Sequence, residues 1–263
     1  MFILTCAGGW FKNTEFHEKF ALAAKLGFKA VEILDWTPAD FIKAKDEIDR
    51  TGCALSAILV KSRDEAKQAF ISNGHGIVHE DALDAFCGAI SETLEAALAM
   101  GCKNIVVTSG NERDDVDRKV QHNNIVSALR AAAKIVAGSG VTLVLEPLNI
   151  LVNHMGYYLT TTAEGAEIIN EVGSPQVKLL YDVYHQQITE GNLINNIRNN
   201  IENIGHIHIG DVPGRNEPGT GEINYKNVFK AIADTGYDKF VVFECGLTED
   251  LETVVNKTAA LMP

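Results

Sequence analysis

Four apolar runs in the second half of the sequence close on groups able to bind a cation or move a proton. TLVLE (142–146) ends on Glu146, KLLYD (178–182) ends on Asp182, HIHIGD (206–211) carries His208, and FVVFE (240–244) ends on Glu244. Taken singly, an acid at a strand end reads as the cap of the next helix or as a turn residue. Four in succession read differently. Three carboxylates brought together without a cation repel one another and lose hydration. A divalent cation resolves this: three carboxylates and one imidazole suit Mn²⁺, Mg²⁺ or Co²⁺, with Zn²⁺ also compatible, and leave positions for substrate oxygens.

Other groups have two readings each. Glu32, in AVEIL, is either an inward salt-bridge partner or a substrate contact. His185, three residues after Asp182 in YDVYH, could bond a substrate oxygen or a metal-bound carboxylate. His206 shares a strand face with His208 and reads as a hydrogen-bonded interior residue behind it. Arg215, the one arginine of the loop PGRNEPGTGE, is either paired with Glu217 or Glu222 or is a cation gripping a substrate carboxylate or hydroxyl. Lys61, Arg63 and Arg113 also follow strands and compete for that task. His17, His75, His79 and His122 have no such placement and read as surface histidines.

Convergence of strand ends requires a scaffold that aims them at one point. Eight β-rich runs recur along the chain, at 2–8, 30–34, 53–60, 104–110, 142–148, 177–183, 206–211 and 240–246. They are more continuous than alternating, as befits parallel strands covered on both faces. Helical patterns lie between them. In ISETLEAALAMG, Ile90, Leu94, Ala97 and Leu98 fall on one face before Gly101. Ile194, Ile197, Ile201 and Ile204 keep helical spacing, and EGAEIINEVGSP ends on Gly173 and Pro175. The alternation predicts an α/β chain folded as a single (β/α)₈ TIM barrel over 1–263, whose active groups sit at the C-terminal strand ends. An open doubly wound sheet is less favoured, because AGGWFKN after the first run is a poor phosphate loop. The long connection 61–85 reads as an extra helix with a surface loop, or as a flap over the mouth.

Composition sets the outer limits. The 263 residues are 46% hydrophobic, ample for one large core, and a formal charge of −12 argues against a nucleic-acid or anionic-membrane partner. Five cysteines without CxxC spacing read as buried thiols of a reduced cytoplasmic protein. MFILTCAGG has no basic region ahead of its apolar run and reads as a strand. No apolar run approaches the roughly 18 residues of a membrane helix.

The stretch from VLEPLN through NHMGYYLTTTAEGAEIINEVGSPQVKLLYDVYHQQITEGNL to HIHIGDVPGRNEPGTGEINY resembles the hydroxypyruvate isomerase family. That family lies within the xylose-isomerase-like barrels, which also contain ketose 3-epimerases and endonuclease IV. YDVYH, PGRNEPGTGEI and FECG in this order carry the likeness, which is close over about 142–246. It implies that Glu146, Asp182, His208 and Glu244 are metal ligands, that Glu146 and Glu244 transfer protons, and that His185 and Arg215 contact substrate. It also implies a small sugar or keto-acid substrate and a homo-oligomer. Some members have glutamine at the position of His208, whereas the ketose 3-epimerases have histidine. KSRDEAKQAFISNGHG departs from the Pro/Gly-rich segment with a basic residue found there in many hydroxypyruvate isomerases.

The reaction so implied is isomerisation of hydroxypyruvate to tartronate semialdehyde through an enediolate, with Arg215 or Arg63 holding the carboxylate. A ketose 3-epimerase or a 2-oxo-sugar-acid isomerase would use the same groups. A nuclease resembling endonuclease IV, or a barrel that binds sugar without turnover, fits the charge and the paired glutamates less well.

Overall fold

Residues 1–72 and 74–263 are described by a computed structural model. Among the described residues there are nine parallel strand segments: β1 (Ile3–Ala7), β2 (Ala30–Glu32), β3 (Ala54–Leu55), β4 (Ile58–Leu59), β5 (Asn104–Val107), β6 (Thr142–Leu145), β7 (Val177–Asp182), β8 (Ile204–Ile209) and β9 (Phe240–Phe243). The order around the sheet is β3-β2-β1-β9-β8-β7-β6-β5-β4. The ninth segment arises because the third apolar run is interrupted at Ser56–Ala57. Its first half pairs with β2 and its second with β5. Bonds from Ser56 N to Val31 O (3.0 Å) and from Val60 N to Val106 O (2.9 Å) continue both sides. One run therefore joins the two ends of the sheet, and the architecture is a (β/α)₈ barrel.

The apolar runs look continuous, yet strand parity sorts them. Ile105, Val107, Leu143, Leu145, Leu179, Tyr181, Val241 and Phe243 pack outward with the helices. Ala57, Val106, Val144 and Leu180 form a separate small cluster inside the barrel. Because side chains alternate along a strand, Glu146 inherits the inward face of Val144, and Asp182 that of Leu180.

Between β7 and β8 the register shifts, so that Leu180 faces His206 and Asp182 faces His208. Gly205 takes up the extra position. A Cβ there would lie 2.8 Å from Lys178 Cβ and 2.9 Å from Val144 Cγ1, so only glycine fits. Without the shift, Asp182 would stand opposite Ile207. The irregularity is what levels an acid with an imidazole.

Two helices stop as their sequences predict, at Gly101 and Gly173 with φ of 72° and 69°, the left-handed region that glycine enters freely. The helix Leu83–Met100 differs from expectation in one respect. Its buried face runs through Phe86, Ile90, Thr93, Ala97 and Met100, and Leu98 is exposed. Of the four spaced isoleucines, Ile197 is fully buried in Leu193–Asn200, whereas Ile204 already begins β8.

The connection 61–85 holds a helix, Glu65–Ile71, and a 3-10 turn, Glu80–Ala82; Asn73 within it lies outside the described residues. It is tied to the end of β5 by Asn111 N to Gly74 O (3.0 Å) and Val78 N to Ser109 O (3.1 Å), with Ile77 and Val78 buried. No helix among the described residues is long and apolar enough to cross a membrane.

Candidate functional site

Glu146 and Glu244 each stand one residue beyond a strand, held by Glu146 N to Val107 O (3.0 Å) and Glu244 N to Ile209 O (3.0 Å). Asp182 is the last residue of β7, and His208 lies one short of the end of β8. One potential ligand atom from each of these four residues lies within 4.8 Å of the others, so the cluster can hold a metal ion. Asp182 also caps the following helix, as strand-end acids do: Oδ1 accepts from Tyr184 N at 2.8 Å, which leaves Oδ2 for the cluster. Tyr157 OH, bonded to Glu146 O at 3.0 Å, steadies the end of β6.

The electrostatics are unequal across the cluster. Burial first, and then the charges of Glu244 and Asp182, push the Glu146 carboxyl well above the ordinary carboxylate range, with His208 and Arg215 opposing. Burial acts on Glu244 in the same direction, but His208 and Arg215 outweigh it and hold that carboxyl low. His208 is the converse case. Burial favours its neutral ring, yet Glu32 and Glu244 flank both nitrogens and keep it protonated well above the usual range. Without a further cation, Glu146 and His208 are therefore both pushed towards their protonated forms. Glu146 Oε1 is buried with no hydrogen-bond partner, a lone pair aimed into the cluster. An orphaned acceptor beside three other oxygen and nitrogen donors is what a divalent cation would satisfy, and the donor set fits one.

His208 presents Nδ1 to Glu244 Oε2 at 2.8 Å and to Glu146 Oε1 at 3.7 Å. Its Nε2 points the other way, to Glu32 at 3.1 Å. Glu32 also takes His206 Nε2 at 2.8 Å. Of the two readings of Glu32, the described contacts are those of an inward partner that orients two imidazoles, with His206 behind His208. Burial raises the Glu32 carboxyl, but His208 and His206 more than offset this and bring it to about 2.

Arg215 reaches the cluster from the loop after β8. Its Nη2 lies 3.1 Å from Asp182 Oδ2 and 2.6 Å from Glu244 Oε2, with the guanidinium 5.0 Å from the centre of the Tyr184 ring. The acids that could have captured it are occupied, Glu217 by Thr248 N at 2.9 Å and Glu222 by Gln187 at 3.2 Å. The residue is held in the left-handed region, φ 53°, a strained conformation for a side chain of this size. Asp211 braces the loop: its buried carboxylate accepts from Val212 N (2.9 Å), Ile223 N (3.0 Å) and Gly219 N (2.8 Å).

Arg63 is placed elsewhere. Its guanidinium bonds Thr37 O (3.1 Å) and Ala39 O (3.2 Å) and lies over Trp36 and Phe41, at 5.3 and 4.9 Å. Two aromatic faces and two carbonyls have claimed it, and it does not join the cluster. Lys61 pairs with Asp35 and Arg113 with Asp115. Lys19 lines a cavity of about 560 Å³ together with Thr14, Asp35, Glu32 and Glu244. His154 also faces the site, its ring centre 5.3 Å from that of His185. Neither is marked by a strand end, which is why the sequence did not disclose them.

His75, His79 and Asp81 also come together rather than standing apart. The two imidazoles stack at 3.6 Å and 16°, so their lone pairs lie in nearly parallel planes and cannot meet on one ion. Arg113 lies 3.3 Å from His79 Nδ1, which further disfavours a cation there.

The profile of the xylose isomerase-like TIM barrel family matches residues 20–262. The chain belongs to that family. It is 33% identical to the 2-oxo-tetronate isomerase of Cupriavidus necator, over 86% of this chain and 85% of that one. It is 30% identical to the hydroxypyruvate isomerase of Escherichia coli, over 88% of each. Among solved structures, AP endonuclease, family 2 from Brucella melitensis superposes with a TM-score of 0.89 at 27% identity, covering all of both chains. By this kinship the chain is an isomerase, and the expected resemblance to hydroxypyruvate isomerases holds along most of its length.

Proposed function

We propose that this barrel is a metal-dependent isomerase of a small 2-oxo acid, converting hydroxypyruvate to tartronate semialdehyde. The observation that carries the reading is the convergence of Glu146, Asp182, His208 and Glu244, with Glu146 Oε1 left without a protein partner. These four residues would hold the cation, Mn²⁺, Mg²⁺, Co²⁺ or Zn²⁺. Bound there, it supplies positive charge beside the substrate oxygens, which acidifies the neighbouring C–H and keeps Glu146 and Glu244 ionised.

The remaining chemistry belongs to the side chains. One glutamate takes a proton from the hydroxymethyl carbon, and the same or the facing glutamate returns one to the former carbonyl carbon. A second proton moves from the hydroxyl oxygen to the carbonyl oxygen, so no net oxidation occurs. His185 and Arg215 hold substrate oxygens, and Arg215 or Lys19 meets the carboxylate. Glu32 acts through His208, fixing which nitrogen faces the cluster.

A second reading, 2-oxo-tetronate isomerisation, is favoured by the Cupriavidus necator relative and needs the same groups. The excess of 35 acidic over 23 basic residues weighs against a DNA track of the endonuclease kind. Turnover assays on hydroxypyruvate, 2-oxo-tetronate, fructose, tagatose and ribulose test the proposal. It expects conversion of one of the acids. Conversion of the neutral ketoses alone would overturn it.

A further inference from the structure

The two ring nitrogens of His185 face opposite kinds of neighbour. Nδ1 receives the backbone N–H of Asn149 at 3.2 Å and the side-chain amide of Asn149, through Nδ2, at 2.6 Å. The other end of that amide fixes its orientation: Oδ1 accepts from the backbone N–H groups of Val152 (3.0 Å) and Asn153 (3.2 Å). Nδ2 also donates to Asn153 Oδ1 at 3.1 Å, an oxygen that accepts from Tyr184 OH at 2.9 Å. A flipped amide would set its NH₂ against two N–H donors and its oxygen against Asn153 Oδ1. Only the observed orientation pairs every donor with an acceptor.

It follows that Nδ1 of His185 faces two donors and must offer a lone pair. A ring protonated on both nitrogens would drive N–H against N–H. The single proton of the neutral ring therefore sits on Nε2. That nitrogen is buried, has no hydrogen-bond partner, and lies 3.5 Å from Asp182 Oδ2, on the side of the acid cluster.

We infer that Asn149 is a positioning residue that fixes His185 as a hydrogen-bond donor towards the substrate. The inference rests on the isomerase reading above and deepens it. The ligand atom opposite Nε2 is an oxygen that accepts: a carbonyl, a carboxylate, or the oxyanion that forms as the C–H proton leaves. A histidine held in this tautomer has no free lone pair on its substrate side, so it cannot be the base, and the C–H proton is left to Glu146 or Glu244.

The test is long-range ¹H–¹⁵N spectroscopy of the labelled full chain with Mg²⁺ at neutral pH, the His185 signals being identified by their loss in His185→Gln. In the wild type the expected pattern is an unprotonated Nδ1 and a protonated Nε2. A proton on Nδ1, or averaging of both tautomers, would overturn the assignment. Asn149→Asp keeps one oxygen for Val152 and Asn153 and turns an acceptor towards Nδ1, so the proton should move to Nδ1, with kcat/KM lower by about tenfold or more. Asn149→Ala should leave both tautomers populated. An unchanged pattern in both variants would show that the backbone alone sets the ring and would remove the role from Asn149. The expected spectra without turnover of any keto acid would contradict the isomerase reading and leave the Asn149 assignment standing.

Discussion

Arg215 Nη2 lies 2.6 Å from Glu244 Oε2, so a protein cation already rests on one of the four groups that would hold a metal ion. The same nitrogen touches Asp182 at 3.1 Å. The guanidinium offsets part of the cluster's charge and is also in reach of any substrate bound beside it. Removing it leaves buried acids uncompensated.

Arg215→Met is expected to destabilise the chelator-treated protein by about 3 kcal/mol, in the range for breaking a buried ion pair. Added Mn²⁺ should recover much of the loss, because it replaces the missing charge. Thermal unfolding with chelator and with metal measures both. An equal loss under the two conditions would mean that guanidinium and metal do not share the acids.

Metal binding should release protons. Burial and Glu244 raise the Glu146 carboxyl, and Glu32 and Glu244 raise the His208 imidazole against its own burial. Both must lose a proton to ligate, so apparent affinity rises with pH. Calorimetry in buffers of different ionisation enthalpy counts the protons, and Glu146→Gln should release fewer. A pH-independent affinity would contradict the ligand set.

Glu32 makes a prediction about acid stability. Its folded carboxyl titrates near 2 against an ordinary value of 4.5, a depressed value. Its stabilisation is therefore present above about pH 4.5 and is lost as pH falls towards 2, and is worth about 3 kcal/mol at most. Glu32→Gln should be less stable than wild type at neutral pH, with the gap narrowing across that interval. Denaturant unfolding at a series of pH values checks this, and a constant gap would show that the loss is packing alone.

Lys19 and Arg63 separate the two candidate cations of the β1–β3 side. Lys19→Met should raise KM for hydroxypyruvate about threefold, roughly one exposed charge contact, with little change in kcat. Arg63→Ala should leave both constants near wild type and cost about 1 kcal/mol of stability through its lost aromatic contacts. Steady-state kinetics with the two variants decides between them, and the opposite pattern would return the carboxylate to Arg63.

The acids and the imidazole of the cluster were legible because a barrel makes strand ends converge and strand parity fixes which side chains turn inward. The position of Arg63 after the third strand is visible in the sequence, but its contacts with Trp36 and Phe41 are not, because those residues lie in another connection. Asp211, His154 and Asn149 were missed because they work from loops, where no period in the sequence reports direction. The interruption at Ser56–Ala57 is marked only by one small polar residue within an otherwise apolar run, and the register shift at Gly205 leaves no mark beyond one glycine before a histidine.

The central claim is that Glu146 and Glu244 exchange the proton beside a substrate carbonyl. The most direct measurement is solvent exchange: incubate the protein with Mn²⁺ and hydroxypyruvate in D₂O, remove the metal, and follow deuterium entering the carbon-bound positions by NMR. Incorporation by the wild type, with loss of at least about a hundredfold in Glu146→Gln and Glu244→Gln, is the predicted result. Near-normal exchange in either variant, or none in the wild type with any candidate substrate, would contradict it.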